Sequence, residues 1–273
     1  MTSGKFATTV GFERRFNPAL QIEKRSDFVA FMNADQPVRP ANMLNVVEIN
    51  QGKRPYSMLE PRSAELTVRE LADHIAESHL VIDTRSPADF GACHIPGSYN
   101  IQIDSPEFEQ RIGWVTPLDV PIVLVSDSAA DAQKAVHLMA FLGLDGRVKG
   151  HLGGGIDAWI MAGKEQATLT QISVYQLQEQ LDNGLNMQVL DVRETSEWDD
   201  GHIANAHYMN YKTLRQNIES LHIHPNQHVS VTCARGLRSS TACSILQMHG
   251  YEHVYNLTGG MSAWKAAKLP MVK

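Results

Sequence analysis

Val189-Leu-Asp191-Val-Arg193-Glu-Thr-Ser-Glu-Trp198, followed by His202-Ile-Ala-Asn-Ala-His-Tyr-Met-Asn210, restates a stretch met earlier in the chain. The earlier version is Val81-Ile-Asp83-Thr-Arg85-Ser-Pro-Ala-Asp-Phe90, then His94-Ile-Pro-Gly-Ser-Tyr-Asn100. Further on, Gly154-Gly-Ile-Asp-Ala-Trp159 is answered by Gly259-Gly-Met-Ser-Ala-Trp264. The Asp-x-Arg and His-Ile pairs share one offset, while the Gly-Gly-x-x-x-Trp offset is three residues shorter, so the second copy has lost three residues in between. Self-similarity of this kind divides a chain into copies of one folding unit. Each copy reads helix, strand, loop, helix, strand, loop, helix, strand, helix; the second offers Ser173–Leu181, Gln188–Val192, Val229–Val231 and His253–Asn256. Strands alternating with helices call for an α/β fold, a parallel sheet with helices on both faces.

The second copy also holds His228-Val-Ser-Val-Thr-Cys233-Ala-Arg-Gly-Leu-Arg-Ser-Ser240. Val229 and Val231 read as a short buried strand. From Ser239 onward Ala242, Ile245, Leu246 and His249 recur at helical spacing, and Gly250 stands where that helix should stop. Cys233 then sits on a tight loop between a strand end and a helix N-terminus. Such a loop turns backbone N–H groups inward and the helix adds partial positive charge, beside the formal charges of Arg235 and Arg238. All of this favours an anionic sulfur, so Cys233 is expected to be reactive, with a buried structural cysteine as the plainer alternative. In the first copy the corresponding strand, Ile122-Val-Leu-Val125, runs into Ser126-Asp-Ser-Ala-Ala-Asp131. That loop has no cysteine and no arginine, and its aspartates would repel an anionic donor. The first copy is expected to be catalytically inactive and to serve packing and interdomain or dimer contact.

The chain has 273 residues, 43% hydrophobic and 20% charged, which suits two domains with packed cores. A formal net charge of −6 argues against nucleic acid or an anionic membrane as partner. No apolar run approaches a membrane span, and Met1–Phe6 does not open a secretory signal. Three irregularly placed cysteines, Cys93, Cys233 and Cys243, make no disulfide framework and point to the cytoplasm. Cys93 belongs to an earlier turn, and Cys243 reads as a small buried residue on the helix rather than a resolving thiol. His222, His224 and His228 are close in sequence but lack a carboxylate or thiol cluster, so they read as a solvated loop, and no metal site is expected.

Residues 1–63 do not read as a domain. One helix is expected over Ser26–Asn33 with Ser26 as its cap, then an extended strap carrying Pro37, Pro40, Pro55 and Pro61. Here Thr8-Thr-Val-Gly-Phe-Glu-Arg-Arg-Phe-Asn-Pro-Ala-Leu20 and Phe28-Val-Ala-Phe-Met-Asn-Ala-Asp-Gln-Pro37 resemble the closing segment of metallo-β-lactamase-fold persulfide dioxygenases. Residues 1–63 contain no histidine, and no His-x-His-x-Asp-His run occurs anywhere, so that family's iron ligands are missing. The resemblance implies ancestry from a fusion enzyme, or a fragment of one, and not dioxygenase activity.

Asp-Val-Arg-Glu, Glu-Trp, Gly-His-Ile, the cysteine loop and Gly-Gly-x-x-x-Trp together resemble the rhodanese domain, over residues 64–165 and again over 166–273. The whole order resembles the C-terminal part of persulfide dioxygenase–rhodanese fusions, with 1–63 as the remnant and linker. The resemblance places the nucleophile at Cys233 and the loop that closes its N–H groups around the sulfur at Ala234, Arg235, Gly236, Leu237, Arg238 and Ser239. It implies a persulfide cycle. Cys233 takes sulfane sulfur from thiosulfate or a low-molecular-weight persulfide and passes it to cyanide, sulfite or a thiol. No cofactor is implied. The implied partners are a small-molecule sulfur donor and a thiol acceptor, with a persulfide-generating or dioxygenase protein and a homodimer left open. Asp191 and Arg193 read as a strand-end pair fixing the following loop, His202 as a packed turn histidine, and Trp264 as core. Two other classes remain. A sulfur-carrying or regulatory module needs the same loop without turnover. A cysteine phosphatase or arsenate reductase needs five residues between Cys and Arg, whereas four separate Cys233 from Arg238.

Overall fold

The computed structural model describes residues 7–34, 38–40, 42–53 and 60–273. Residues 1–39 and 40–273 form separate compact units. In the first, α1 (Val10–Phe16) is capped by the Thr9 side chain, and α2 (Arg25–Asn33) follows; neither helix buries a residue. Ser26 is not the cap of α2. The helix begins one residue before it, Lys24 holds the cap position, and the Ser26 hydroxyl donates to Asp27 instead. The extended strap also needs correction. α3 (Met43–Asn50) forms inside it, and Asn42 at its N-cap is buried, its Nδ2 donating to the Leu142 carbonyl at 3.2 Å. Pro37 and Pro55 lie outside the described residues.

The first repeat contains β1 (Glu65–Leu66), α4 (Val68–Ala76), β2 (Leu80–Asp83), α5 (Pro87–Ala92), β3 (Tyr99–Asn100), α6 (Phe108–Val115), β4 (Ile122–Val125), α7 (Ala129–Ala140), β5 (Val148–Leu152) and α8 (Gly155–Met161). The second contains β6 (Thr170–Ile172), α9 (Val174–Asp182), β7 (Met187–Asp191), α10 (Thr195–Asp199), β8 (His207–Tyr208), α11 (Tyr211–Asn217), β9 (His228–Thr232), α12 (Leu237–Met248), β10 (His253–Leu257) and α13 (Gly260–Ala266). Each copy builds one five-stranded sheet, ordered β1-β5-β4-β2-β3 and β6-β10-β9-β7-β8, with every ladder parallel. Three strands per copy were legible in the sequence. The added edge strands are two or three residues long, too short to show a period.

Helices cover both faces of each sheet, so the central strands are buried on both sides. Val229, Ser230, Val231 and Thr232 are all sequestered, as are Ile122 to Val125. One face of the second sheet packs Val189, Leu257, Met261 and Trp264 with Leu177 of α9; the first copy repeats this with Val81, Val123, Leu152, Trp159 and Leu71. Capping boxes at Thr67 and Ser173 start α4 and α9. No described helix is long and apolar enough to cross a membrane.

The two copies meet through polar groups. α12 is buried from Ser239 to Leu246 although it carries Ser239, Ser240, Thr241 and Ser244. Its hydroxyls are answered by Asn100 at the end of β3: Ser240 Oγ donates to Asn100 Oδ1 at 2.5 Å, Thr241 Oγ1 donates to the Asn100 carbonyl at 2.7 Å, and the Asn100 N–H donates to Ser244 Oγ at 3.2 Å. Asn100 Nδ2 in turn donates to the carbonyls of Asp83 and Arg85. Beside this network the Lys212 ammonium lies 4.1 Å from the ring centre of Trp114 and 2.7 Å from Glu194.

Candidate functional site

Cys233 follows the last residue of β9, at the carboxyl end of a central strand, and is 1% exposed. Three residues later Gly236 adopts φ +96° and opens α12. That left-handed turn reverses the chain, and the Gly236 N–H donates to Cys233 Sγ at 3.1 Å. The N–H groups of the first turn of α12 have no acceptor within the helix, so its positive end faces the loop. The Gly236 N–H and the head of α12 therefore set a donor and partial positive charge at the sulfur, an arrangement that stabilises an anion there.

The outer side of the loop rests on the Gly259-Gly260 turn. Met261 N–H donates to the Cys233 carbonyl at 2.8 Å, and Ser262 N–H to that of Ala234 at 2.9 Å. Gly260 has φ +52°, and a Cβ there would run into the Cys233 and Ala234 carbonyl groups. This close approach is the physical reason for Gly-Gly in the motif. On the other side Ser239 Oγ donates to Asn256 Oδ1 at 2.6 Å, and Asn256 Nδ2 donates to the Gly236 carbonyl at 3.2 Å. Leu237 is half-buried and Arg235 exposed.

Arg238 does not stand free at the pocket mouth. Its guanidinium is bound by both oxygens of Glu197, at 2.7 and 2.8 Å. Burial works against the charged guanidinium, but the Glu197 bonds and the charge at Cys233 outweigh it, so its pKa rises further. Burial likewise works against the Glu197 carboxylate, yet the Arg238 bonds, the Glu194 backbone and the Arg238 charge hold it below its ordinary value. Arg193 is similarly committed. Its Nε and Nη2 clasp the Asp191 carboxylate at 2.7–2.9 Å, and Nη2 also donates to the Gly201 carbonyl at 2.9 Å. The His202 ring stacks on Trp198 at 3.5 Å, with Nδ1 3.2 Å from the Trp198 carbonyl, and its backbone bridges to Val272. Asp191, Arg193 and His202 thus brace the turn between β7 and β8, and Arg193 also lines the cleft beside the Cys233 loop. A shallow cleft of about 120 Å³ opens beside the loop, lined by Ala234, Glu197, Asp200, Met261, Ser262 and Lys265 among others.

The first copy reproduces this architecture without the thiol. Ser126 follows β4 as Cys233 follows β9, and its Oγ accepts from Thr84 Oγ1 at 2.8 Å. Asp127 occupies the loop, its pKa raised by burial and by the nearby Asp89 carboxylate. The pair Asp83–Arg85 repeats Asp191–Arg193 at 2.6 Å. Burial pushes the Cys93 thiol up, and that of Cys243 well up, where the charge at Cys233 adds to it. His222 and His224 stay on the surface, while His228 stacks on His253 and bonds Tyr255 at 2.7 Å.

Sequence reasoning missed Glu197, Asn256 and Asn100. Glu197 stands in the Glu-Trp pair that answers Asp89-Phe90 of the first copy, but nothing in sequence spacing links it to Arg238, 41 residues on.

A family model for the rhodanese-like domain matches residues 67–162 and 173–267. The chain is similar to the thiosulfate sulfurtransferase GlpE of Shewanella oneidensis, 31% identical over 37% of this chain and 97% of that protein. It is also similar to the probable adenylyltransferase/sulfurtransferase MoeZ of Mycobacterium tuberculosis, 32% identical over 36% of this chain and 25% of that one. Among solved structures, a rhodanese-related protein from Thermoplasma volcanium is 30% identical, covering 38% of this chain and 97% of that chain with a TM-score of 0.34. With both halves of its repeat matched, the chain belongs to the rhodanese-like domain family as a tandem of two copies.

Proposed function

We propose that the second copy is a sulfurtransferase that moves sulfane sulfur from thiosulfate or a low-molecular-weight persulfide to cyanide, sulfite or a thiol through a persulfide on Cys233. The observation that carries this reading is the Gly236 N–H donated to Cys233 Sγ at 3.1 Å at the head of α12, where the first copy has Ser126. The names of the relatives, thiosulfate sulfurtransferase and sulfurtransferase, support the same class. In the first half-reaction the Cys233 thiolate attacks the donor's outer sulfur. A new S–S bond forms on Cys233, the donor's own S–S bond breaks, and its electron pair leaves as sulfite or as a thiolate. In the second, an acceptor attacks that outer sulfur and the Cys233 thiolate is restored. Gly236, the first turn of α12 and the loop residues Ala234, Arg235, Leu237, Arg238 and Ser239 hold the anion in both states.

The same reading assigns residues 64–165 to an inactive copy, which has Ser126 where the second copy has Cys233, and 166–273 to the active one. Residues 1–63 are proposed as the remnant of the metallo-β-lactamase-fold partner of a fusion enzyme, and the three unpaired cysteines suit a cytoplasmic setting. The test is cyanide-dependent thiocyanate formation. Cys233→Ser abolishes it, while Cys93→Ser and Cys243→Ser retain most of it. Substantial transfer by Cys233→Ser refutes the assignment. Persulfide formation without turnover would instead favour the carrier reading.

A further inference from the structure

At the far end of the first copy, α4 runs out into β2 through His74-Ile-Ala-Glu77-Ser-His79. The helix ends with the N–H groups of Ser78 and His79 donating to the carbonyls of Ile75 and His74, and Ser78 takes φ +64°. A serine in the left-handed region is strained relative to the glycine common there. The turn folds His79 back against His74, their rings edge to face with centres 4.6 Å apart, and lays Glu77 beside both. One ligand atom from each of the three side chains lies within 4.8 Å of the others. Glu77 Oε2 is 3.7 Å from His74 Nδ1 and 3.6 Å from His79 Nδ1.

We propose that His74, Glu77 and His79 form a binding site for a divalent transition-metal ion of the zinc, nickel or copper type, outside the sulfur-transfer site. Nitrogen and oxygen ligands of a tetrahedral ion stand at ~2.0–2.1 Å from it, hence about 3.4 Å from one another. Glu77 Oε2 is already within a few tenths of an ångström of that separation from both imidazoles. His74 Nδ1 is buried and has no hydrogen-bond partner. A bare imidazole nitrogen costs free energy when buried, and a metal ion would satisfy it. His79 Nδ1 now lies 2.8 Å from the His74 carbonyl, and the ion would displace that contact. The carbonyl would keep a partner, because the His79 backbone N–H also donates to it at 3.0 Å. Two imidazoles and one carboxylate suit borderline ions and disfavour calcium or magnesium, which require mostly oxygen ligands. Glu77 is 67% exposed, so the remaining positions open to water, or to a ligand from another molecule.

Zinc is the probe, added to the full chain carrying Cys233→Ser so that the loop thiol does not compete. Titration calorimetry and elemental analysis after dialysis should give one ion per chain. The exposed Glu77→Gln and the largely buried His79→Gln should each weaken binding at least tenfold while urea unfolding shows each variant folded. Calcium should give no heat. Zinc bound equally well by both variants, or below one ion per chain, means adventitious binding only and overturns the site. Thiocyanate formation by the chain with Cys233 intact reports separately on the sulfur chemistry.

Discussion

Glu197 holds Arg238 by two parallel bonds, Nη1 to Oε2 at 2.7 Å and Nη2 to Oε1 at 2.8 Å, across the entrance to the Cys233 loop. The cation closest in character to an anion clamp is therefore already neutralised in place. Arg235, exposed on the same loop, and Lys265, which lines the cleft, are further charges available to a donor. The sequence suggests Arg238 as the residue that answers thiosulfate's charge, and the structure instead pairs it with Glu197.

The first prediction concerns donor charge. Arg235→Ala should lower kcat/KM for thiosulfate about two- to fivefold, the size of an exposed ion pair, and spare a persulfide donor with less charge at its reacting end. Arg238→Ala should lower both alike, by roughly ten- to a hundredfold, because it strips a charge-assisted pair and leaves Glu197 unmatched beside an anionic sulfur. Steady-state rates of the two variants with both donors decide it. A donor-selective loss in Arg238→Ala would contradict this division of roles.

The same pair sets an acid limit. The Glu197 pKa is depressed in the folded chain, so its contribution to stability is complete above the ordinary carboxylate value of 4.5 and fades as pH falls through the lower folded value. Glu197→Gln should be less stable than the parent at pH 7, and the gap should shrink toward pH 3. Urea midpoints across that range measure it. A gap independent of pH would mean the carboxylate charge is irrelevant.

His94 predicts a second, milder transition. Burial lowers its pKa from 6.5 to about 4, while its Nδ1 bonds the Phe90 carbonyl at 2.8 Å. A folded pKa below the unfolded one means the unfolded chain takes up the proton first. Stability should therefore fall between about pH 6.5 and pH 4, by at most about 3 kcal/mol. His94→Phe should flatten this part of the pH–stability curve even if it lowers the curve as a whole. An unchanged slope in the variant would contradict the assignment.

Asn100 ties the first copy to the second. Replacing it by Ala keeps the backbone carbonyl that Thr241 uses but strands the Ser240 hydroxyl and the Gln102 amide, which both donate to Asn100 Oδ1, in the buried interface, at about 1–3 kcal/mol. The expected result is a lower urea midpoint with an unchanged m-value, and reduced kcat because α12 carries the Cys233 loop at its head. Full activity in a destabilised Asn100→Ala chain would mean that the contact only glues the copies together.

Much of this was legible in the sequence because the repeat compares the chain with itself. Asp191 with Arg193 and Gly259 with Gly260 were visible as paired motifs, and the central strands as β-branched runs. What escaped detection was long-range or short-lived. Two-residue edge strands such as β3 have no period, and Asn100 finds Ser240 only when two copies pack. Nor could spacing show that Glu197 occupies Arg238. α3 was hidden because Asn42 spends its side chain on Leu142 rather than on the helix it begins.

Covalent sulfur on Cys233 is read from intact-protein mass after exposure to thiosulfate or a low-molecular-weight persulfide. The full chain should gain the mass of one sulfur atom and lose it on adding cyanide, while Cys233→Ser should gain none. A gain of one sulfur in Cys233→Ser, or no gain in the parent chain with any donor, would contradict it.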